Sequence, residues 1–332
     1  MSGQELTQFF AVFGSYGLLG MLLAVLMLFM LSCLVMKVAK RTGITEFDKI
    51  IVEKEIRWLR VIFGGVFIFF LFGVVVVMTA GAGALLHQAF GIPTILGNLL
   101  MVICLAVLAL WGAKGVISVF SITVPLLIVV AMITGVLSFF YIGGSNMFAR
   151  PFSGANPLLG NWLFATIAFV SYNMMVAISI LVPIASNVKD EKVIDKGILQ
   201  GAVQLIIVFV CILLPLILNQ AMLAGAELPM LMLAEKIDPL WGIVYATLLL
   251  CGIFGSALAC LFGVTVRIKK IAKNIKVRTL ILTLLVMAFM GSMAGFKELI
   301  ATVFPVCGYI GFLAMIGIVL HYLSLVRVSA SK

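Results

Sequence analysis

The chain has 332 residues, of which 64% are hydrophobic and only 10% are charged. A water-soluble domain could not bury that much apolar surface, so the composition excludes the soluble globular classes and makes the lipid bilayer the main solvent. The net charge of +10 at pH 7 does not indicate a nucleic-acid partner, because the basic residues lie in alternate connections between apolar segments.

The chain begins with a polar motif and a short apolar segment. Ser2-Gly3-Gln4-Glu5 has the form of a capping box, in which the Ser2 hydroxyl and the Glu5 carboxylate satisfy backbone donors at a helix start. Residues 14–17 interrupt the apolar run, so residues 3–13 predict a half-helix of about 16 Å, or half a bilayer. Its N-terminus inside the membrane would offer N–H groups to an anion. An amphipathic helix on the outer surface is the alternative.

Nine apolar segments follow, and we interpret each as a helix that crosses the hydrocarbon layer of roughly 30 Å. Continuous apolar sequence and short connections favour membrane helices over an outer-membrane barrel. The predicted spans are Leu18–Val38, Val61–Leu86, Gly97–Leu110, Val116–Tyr141, Trp162–Ile184, Ala202–Ala224, Ile243–Val266, Leu280–Met293 and Ala301–Leu323.

The basic residues indicate how these spans are oriented. If every span crosses, 19 of the 22 lysine and arginine residues lie on one side of the membrane, and only Arg150, Lys236 and Lys297 lie on the other. The positive-inside rule makes the basic side cytoplasmic. We therefore predict a multi-pass protein of the inner or plasma membrane with a cytoplasmic C-terminus.

The ten elements, counting the half-helix, divide into two sets of five. The predicted halves are residues 1–141 and 161–326, joined by an extracellular loop at 142–160 and followed by a cytoplasmic tail at 327–332. A repeat of five crossings must be inverted in its second copy, as in transporter folds with a mid-membrane site.

The sixth element should then be interrupted like the first, and Ser171-Tyr172-Asn173 is a polar interruption of its apolar sequence. Such side chains can satisfy backbone groups that a local unwinding frees, and can face a cavity. Hydrogen bonding of these three side chains to neighbouring helices is the alternative interpretation.

Three further segments carry weaker signals. The small residues of Met78-Thr79-Ala80-Gly81-Ala82-Gly83 suit close helix packing, with cavity lining as the alternative. Ser256 could offer its hydroxyl to a coupling ion, although a lone serine in a helix commonly bonds its own backbone. Residues 227–241 predict an extracellular amphipathic helix or lid.

The Ser2–Glu5 motif followed by Gln8-Phe9-Phe10, the segment Met78–Ala84 and Pro125 together resemble the YkvI-like bacterial membrane proteins, a branch of the amino acid–polyamine–organocation transporter superfamily. The resemblance spans nearly the whole chain. It implies a bacterial cell membrane location and a LeuT-type fold of five plus five inverted helices.

The resemblance also implies that substrate and ion bind at breaks in helices one and six. The corresponding residues here are Ser2, Gly3, Gln4 and Glu5 in the first helix and Ser171, Tyr172 and Asn173 in the sixth. Relatives carry a glycine-rich half-helix before the first motif, where this sequence has Met1. We therefore expect the first helix to be incomplete in this sequence.

These inferences lead to a secondary transporter of a small polar organic solute, an amino acid or amine-like molecule, coupled to Na+ or H+ and working by alternating access. A non-transporting membrane receptor or partner-binding subunit is the alternative, against which the short loops argue. The spans contain no His/Asp/Glu constellation or metal-ligand spacing, so we expect no enzyme activity, no metal and no cofactor apart from a coupling ion.

Overall fold

The computed structural model describes residues 2–43, 57–111, 114–142, 156–185, 188 and 190–330. Every regular element within these ranges is a helix. Several sequence predictions lie outside them: most of the outer loop at 142–160, the end of the tail at 327–332, and the basic residues Lys49, Lys54, Arg150 and Lys189.

Most of the helices in the described ranges are long and apolar. They are α1 (Gln4–Phe9), α2 (Ser15–Thr42), α3 (Arg57–Phe90), α4 (Thr94–Trp111), α5 (Lys114–Tyr141), α6 (Trp162–Ala185), α7 (Glu191–Leu218), α8 (Gln220–Leu223), α9 (Pro229–Ile237), α10 (Pro239–Ile271), α11 (Val277–Ser292) and α12 (Phe296–Ala330). Short 3-10 turns follow α1 at Ala11–Phe13 and precede α6 at Pro157–Leu159.

Seven of these helices are long and apolar enough to cross a membrane: α2, α3, α5, α6, α7, α10 and α12. The other two predicted spans form shorter apolar helices, α4 and α11. Each predicted span therefore corresponds to a helix, and the protein is a multi-pass helical membrane protein.

The predicted half-helix is shorter than the sequence suggested. Helix α1 has only 6 residues, and the chain tightens into the 3-10 turn before Gly14, whose φ is +57°. The predicted capping box does not form, and Gly3 is the N-cap residue of α1. The Ser2 hydroxyl accepts a hydrogen bond from the Gln4 amide at 3.3 Å, but the Glu5 carboxylate bonds a tyrosine of another helix.

The predicted interruption of the sixth element is wrong. Helix α6 is continuous from Trp162 to Ala185, because the polar side chains bond the helix's own carbonyls and leave its backbone ladder intact. Ser171 donates to the carbonyl of Ile167 at 2.6 Å, and Asn173 donates to that of Phe169 at 2.9 Å. Polarity alone therefore did not distinguish a break from a side chain that bonds within its own helix.

The packing of the long helices leaves α1 in the interior. Helix α3 packs against α4, α10, α11 and α12, and α6 packs between α2 and α12. Helix α7 packs against α2 and α5. The short helix α1 contacts α6, α7 and α12, so its polar side chains lie within the bundle and away from lipid.

Contacts at one end of the bundle join α2 to α7. Lys37 forms an ion pair with Asp195 at 2.7 Å, and the Arg41 guanidinium donates to both carboxylate oxygens of Glu191 at 2.9 and 3.0 Å. The sequence predicts that both helix ends face the cytoplasm. If every span crosses the membrane, these two helix ends lie on the same side, and their ion pairs agree with that arrangement.

A second set of contacts agrees with the same alternation. The Arg267 guanidinium near the end of α10 lies 4.2 Å from the ring centroid of Phe67 in the first half of α3, and the sequence predicts both at the basic side. Tyr16 at the start of α2 stacks on Trp162 at the start of α6, with centroids 6.4 Å apart. Those two ends are predicted on the opposite side.

Candidate functional site

A cavity of about 400 Å³ lies between the helices, and the N-terminal end of α1 forms part of its wall. The sequence singled out nine candidate site residues, and six of them line this cavity: Ser2, Gly3, Glu5, Met78, Asn173 and Ser256. They come from α1 and the residues before it, α3, α6 and α10. Residues that lie far apart in the sequence therefore converge on one space within the bundle.

Glu5 joins α1 to α6 through the hydroxyl of Tyr172, which donates a hydrogen bond to its carboxylate at 2.9 Å. Tyr172 is 4% exposed, whereas Glu5 is only partly buried and faces the cavity. The two polar motifs predicted to oppose each other thus meet through this one bond. It holds a carboxyl group at the wall of a largely apolar space.

An aromatic cluster fixes the position of the tyrosine. Its ring stacks on Phe304 with centroids 5.0 Å apart. It also lies 5.6 Å from the tilted ring of Phe9 and forms a T-shaped pair with Phe169 at 5.5 Å. Such pairs stabilise each other beyond the area they bury, by about 0.5–1.5 kcal/mol each. The hydroxyl of Tyr172 is therefore held towards Glu5 by packing on several sides.

Three candidates lie behind the wall of the cavity and do not line it: Gln4, Ser171 and Tyr172. Gln4 is 1% exposed, and within the described part of the chain its side-chain oxygen has no hydrogen-bond partner. An unpaired buried amide oxygen costs free energy. Ser171 is fully buried and bonds its own helix, so its role in this structure is local.

The serine proposed for a coupling ion reaches the cavity but also bonds its backbone. The Ser256 hydroxyl donates to the Gly252 carbonyl at 2.9 Å, and both residues line the cavity. The bond to its own backbone, the alternative interpretation, is thus present, and the coupling-ion role stays a prediction.

The glycine-rich segment of α3 has two roles. Its glycines allow close helix packing, and its methionine lines the cavity. A Cβ at Gly83 would lie 2.6 Å from the Thr94 carbonyl oxygen, and one at Gly81 would lie 2.8 Å from the Phe296 ring. Helices α4 and α12 approach α3 that closely only because these side chains are absent. Met78, one turn earlier, lines the cavity.

Within the segment 227–241, predicted to be an extracellular amphipathic helix or lid, Pro229–Ile237 forms helix α9. This helix contacts the chain just before α1. The Met230 amide donates to the Ser2 carbonyl at 3.1 Å. Gly3 adopts φ +84°, and a Cβ there would lie 2.8 Å from the Met230 side chain, so glycine is required both by backbone conformation and by space. Met230 thus packs directly behind two cavity-lining residues.

Two carboxyl groups near α9 lie outside the candidate spans. Burial raises the pKa of Glu235, and a hydrogen bond from Gln88 at 3.2 Å partly offsets the effect. Burial and the nearby Glu298 raise the pKa of Glu227, while His87 and Lys297 lower it. This side of the molecule therefore carries carboxyl groups that hold their protons to higher pH than usual.

Sequence reasoning missed most of the apolar wall, which comes mainly from α5, α7 and α10. Its members include Leu127, Ile128, Leu205, Phe209, Ile212 and Ile253. In an apolar helix nothing distinguishes a side chain that faces a cavity from one that faces lipid. Pro125 was the one local signal, since it lies within α5 beside Val124, which lines the cavity.

No protein-family model matches the chain. The uncharacterized membrane protein YkvI of Bacillus subtilis (strain 168) is 28% identical over 320 residues, which make up 96% of this chain and 90% of that protein. The uncharacterized protein YyaD of the same organism is 27% identical over 326 residues, or 96% of this chain and 91% of that protein. The chain is thus similar to a bacterial membrane protein along most of its length.

Proposed function

We propose that this protein is a secondary transporter of a small polar organic solute, an amino acid or amine-like molecule, and that a gradient of Na+ or H+ drives it by alternating access. The observation that carries the proposal is the cavity, where a carboxyl group, an amide and two serine hydroxyls converge inside an apolar membrane bundle. Polar groups are costly at that depth and typically mark a solute or ion pathway. A volume of about 400 Å³ suits a small solute.

The packing of the helices supports an inverted repeat of five plus five. In the proposed repeat α1 to α5 correspond to α6, α7, α10, α11 and α12, while α8 and α9 belong to a connection. The equivalent helices α2 and α7 pack together, as do α3 with α10 and α4 with α11. A two-fold pseudosymmetry axis between the halves would produce such pairs.

Three further pairs of contacts support the same correspondence. Exchanging equivalent helices turns the α2–α6 contact into α7–α1, the α5–α10 contact into α12–α3, and the α5–α7 contact into α12–α2. All six contacts occur. Inverted repeats of this kind let one bundle rock against the other around a fixed mid-membrane site, and for that reason we propose the LeuT-like arrangement and membership of the wider transporter superfamily.

Uptake into vesicles tests the proposed function. Purified protein reconstituted into liposomes should accumulate solute from a pool of radiolabelled amino acids and amines when an inward Na+ or H+ gradient is imposed. Collapse of the gradient with an ionophore should reduce accumulation to that of protein-free liposomes. Saturable binding without gradient-dependent flux of any pool member would contradict transport and favour the receptor alternative.

A further inference from the structure

The cavity has a polar end and a large apolar wall. Ser2, Glu5, Asn173 and Ser256 supply its polar side chains. The rest of the lining is aliphatic or aromatic, apart from two glycines, and three phenylalanines take part: Phe169, Phe209 and Phe296. A solute that fills this space must therefore present one compact polar group and an apolar body.

The ionisable side chain at this polar end of the cavity is a carboxyl group. Among the described residues that line the cavity, Glu5 is the only charged one, and none is lysine, arginine or histidine. Tyr172 donates a hydrogen bond to the Glu5 carboxyl group. A carboxylate in such a place gains most from a cationic partner, because burying an unpaired charge is expensive.

The same arrangement disfavours other solutes. An anion or the carboxylate of an amino acid would meet Glu5 with no positive side chain to offset the repulsion. A polyamine would place its second ammonium against the apolar wall, where the charge would lack a partner.

We propose that the solute is a monoamine with an apolar body, whose ammonium group pairs with Glu5 while its hydrocarbon part lies against α5, α7 and α10. Phenylalanine faces in the wall also attract an ammonium group or stack on an aromatic solute. This inference rests on the proposed function and narrows its substrate class. It excludes amino acids and polyamines as preferred solutes.

Binding of a matched probe series to the purified full-length protein tests the inference. The probes are 2-phenylethylamine, its neutral analogue 2-phenylethanol, the anion 3-phenylpropionate, the zwitterion phenylalanine and the dication putrescine. Calorimetric titration should give 2-phenylethylamine a Kd at least about tenfold below that of every other probe. Equal or tighter binding of phenylalanine or 3-phenylpropionate, or no binding of any probe, would overturn it.

Variants then identify the residue that binds the ammonium. Glu5→Gln should raise the Kd of 2-phenylethylamine roughly 100-fold, since loss of one partner of a buried charge pair is costly. The matched control Glu298→Gln removes an exposed glutamate outside the cavity wall and should leave the Kd unchanged. If Glu5→Gln does not fold, Leu127→Phe is used instead, because its larger side chain narrows the apolar part of the cavity. This variant should weaken the binding of 2-phenylethylamine more than that of the smaller n-propylamine.

A coupling cation at Glu5 would share the chemistry of the ammonium group, so the titration is repeated with K+ in place of Na+. Amine binding that survives this exchange and still falls in Glu5→Gln supports the inference. Amine binding that is unchanged by Glu5→Gln, while a Na+ effect disappears, would overturn it. Gradient-driven flux of a different solute would contradict this inference and leave the proposed transport function standing.

Discussion

A single hydrogen bond connects the two parts of the chain that carry most of the site. Glu5 and Tyr172 are 167 positions apart, yet their side chains meet at 2.9 Å. Each stood out in the sequence as a polar residue in an apolar segment, but no periodicity relates them, so their pairing could not be predicted. Gln4 was also singled out and proves to lie behind the cavity wall, because one helical position turns its side chain away from that of Glu5.

Removing the tyrosine hydroxyl should weaken the structure by a modest amount. Tyr172→Phe keeps the stacking on Phe304 but leaves the Glu5 carboxylate without its donor, and hydrogen bonds to charged groups contribute about 1.5–3 kcal/mol. Thermal unfolding in detergent should show a lower Tm than the wild type. Tyr16→Phe, at an exposed ring, is the control, and equal Tm values for the two variants would contradict a structural role for the bond.

The outer carboxyl groups predict a pH dependence of stability. Burial raises the pKa of Glu235 in the folded protein, so the folded state binds its proton to higher pH than the unfolded state does. The contribution of Glu235 to the stability of the folded protein is then fully present below the ordinary carboxyl pKa. It is lost as the pH rises through the raised pKa of the folded state. Glu235→Gln should have a higher Tm than the wild type at pH 8 and an equal Tm near pH 4. A difference that is constant with pH would show that ionisation is not its cause.

Whole helices were predicted from the sequence more securely than their breaks. A long apolar segment in lipid, such as Trp162–Ala185, must be helical because only a helix satisfies its backbone hydrogen bonds there. The existence of the long apolar helices could therefore be predicted from composition. Whether a helix is interrupted depends on the hydrogen-bond partners that its polar side chains find. Asn173 bonds its own helix and α6 continues, whereas Gly14 permits the backbone to turn before α2, and only the glycine carries a local conformational signal.

The close approach of α3 and α4 predicts the cost of a methyl group. Gly83→Ala places a Cβ 2.6 Å from the Thr94 carbonyl oxygen, so the two helices must move apart, and overpacking of this kind costs about 1–3 kcal/mol. The control Gly201→Ala puts its Cβ where nothing lies within 4 Å, and the helix preference for alanine should stabilise it by up to about 1 kcal/mol. Chemical unfolding in mixed micelles measures both, and similar effects at the two sites would contradict the packing described.

At the scale of the whole molecule, charge and contact agree on how the helix ends are grouped. The sequence placed 19 basic residues on one side, and the pairs Lys37–Asp195 and Arg41–Glu191 bring two of those helix ends together. The cavity wall could not be predicted in the same way, because it needs the relative rotation of α5, α7 and α10. The rotation of each helix about its axis depends on packing, and a uniformly apolar sequence does not indicate it.

Labelling from either side of the membrane tests this grouping. Single cysteines at Gly43 and Lys273, in a background without the native cysteines, should react with an impermeant thiol reagent from the same side in oriented vesicles. A cysteine at Asn161 should react from the other side. Labelling of the first two from opposite sides would contradict the alternation of the spans.

Alternating access to the cavity is the central claim, and a cysteine at Ser256 tests it most directly. The substitution is nearly isosteric, and the residue lines the cavity on α10. In vesicles of known orientation without other cysteines, Ser256→Cys should react with an impermeant thiol reagent from either side, and reversing the ion gradient should change which side reacts faster. Reaction from one side only under every gradient, or no reaction at all, would contradict the account.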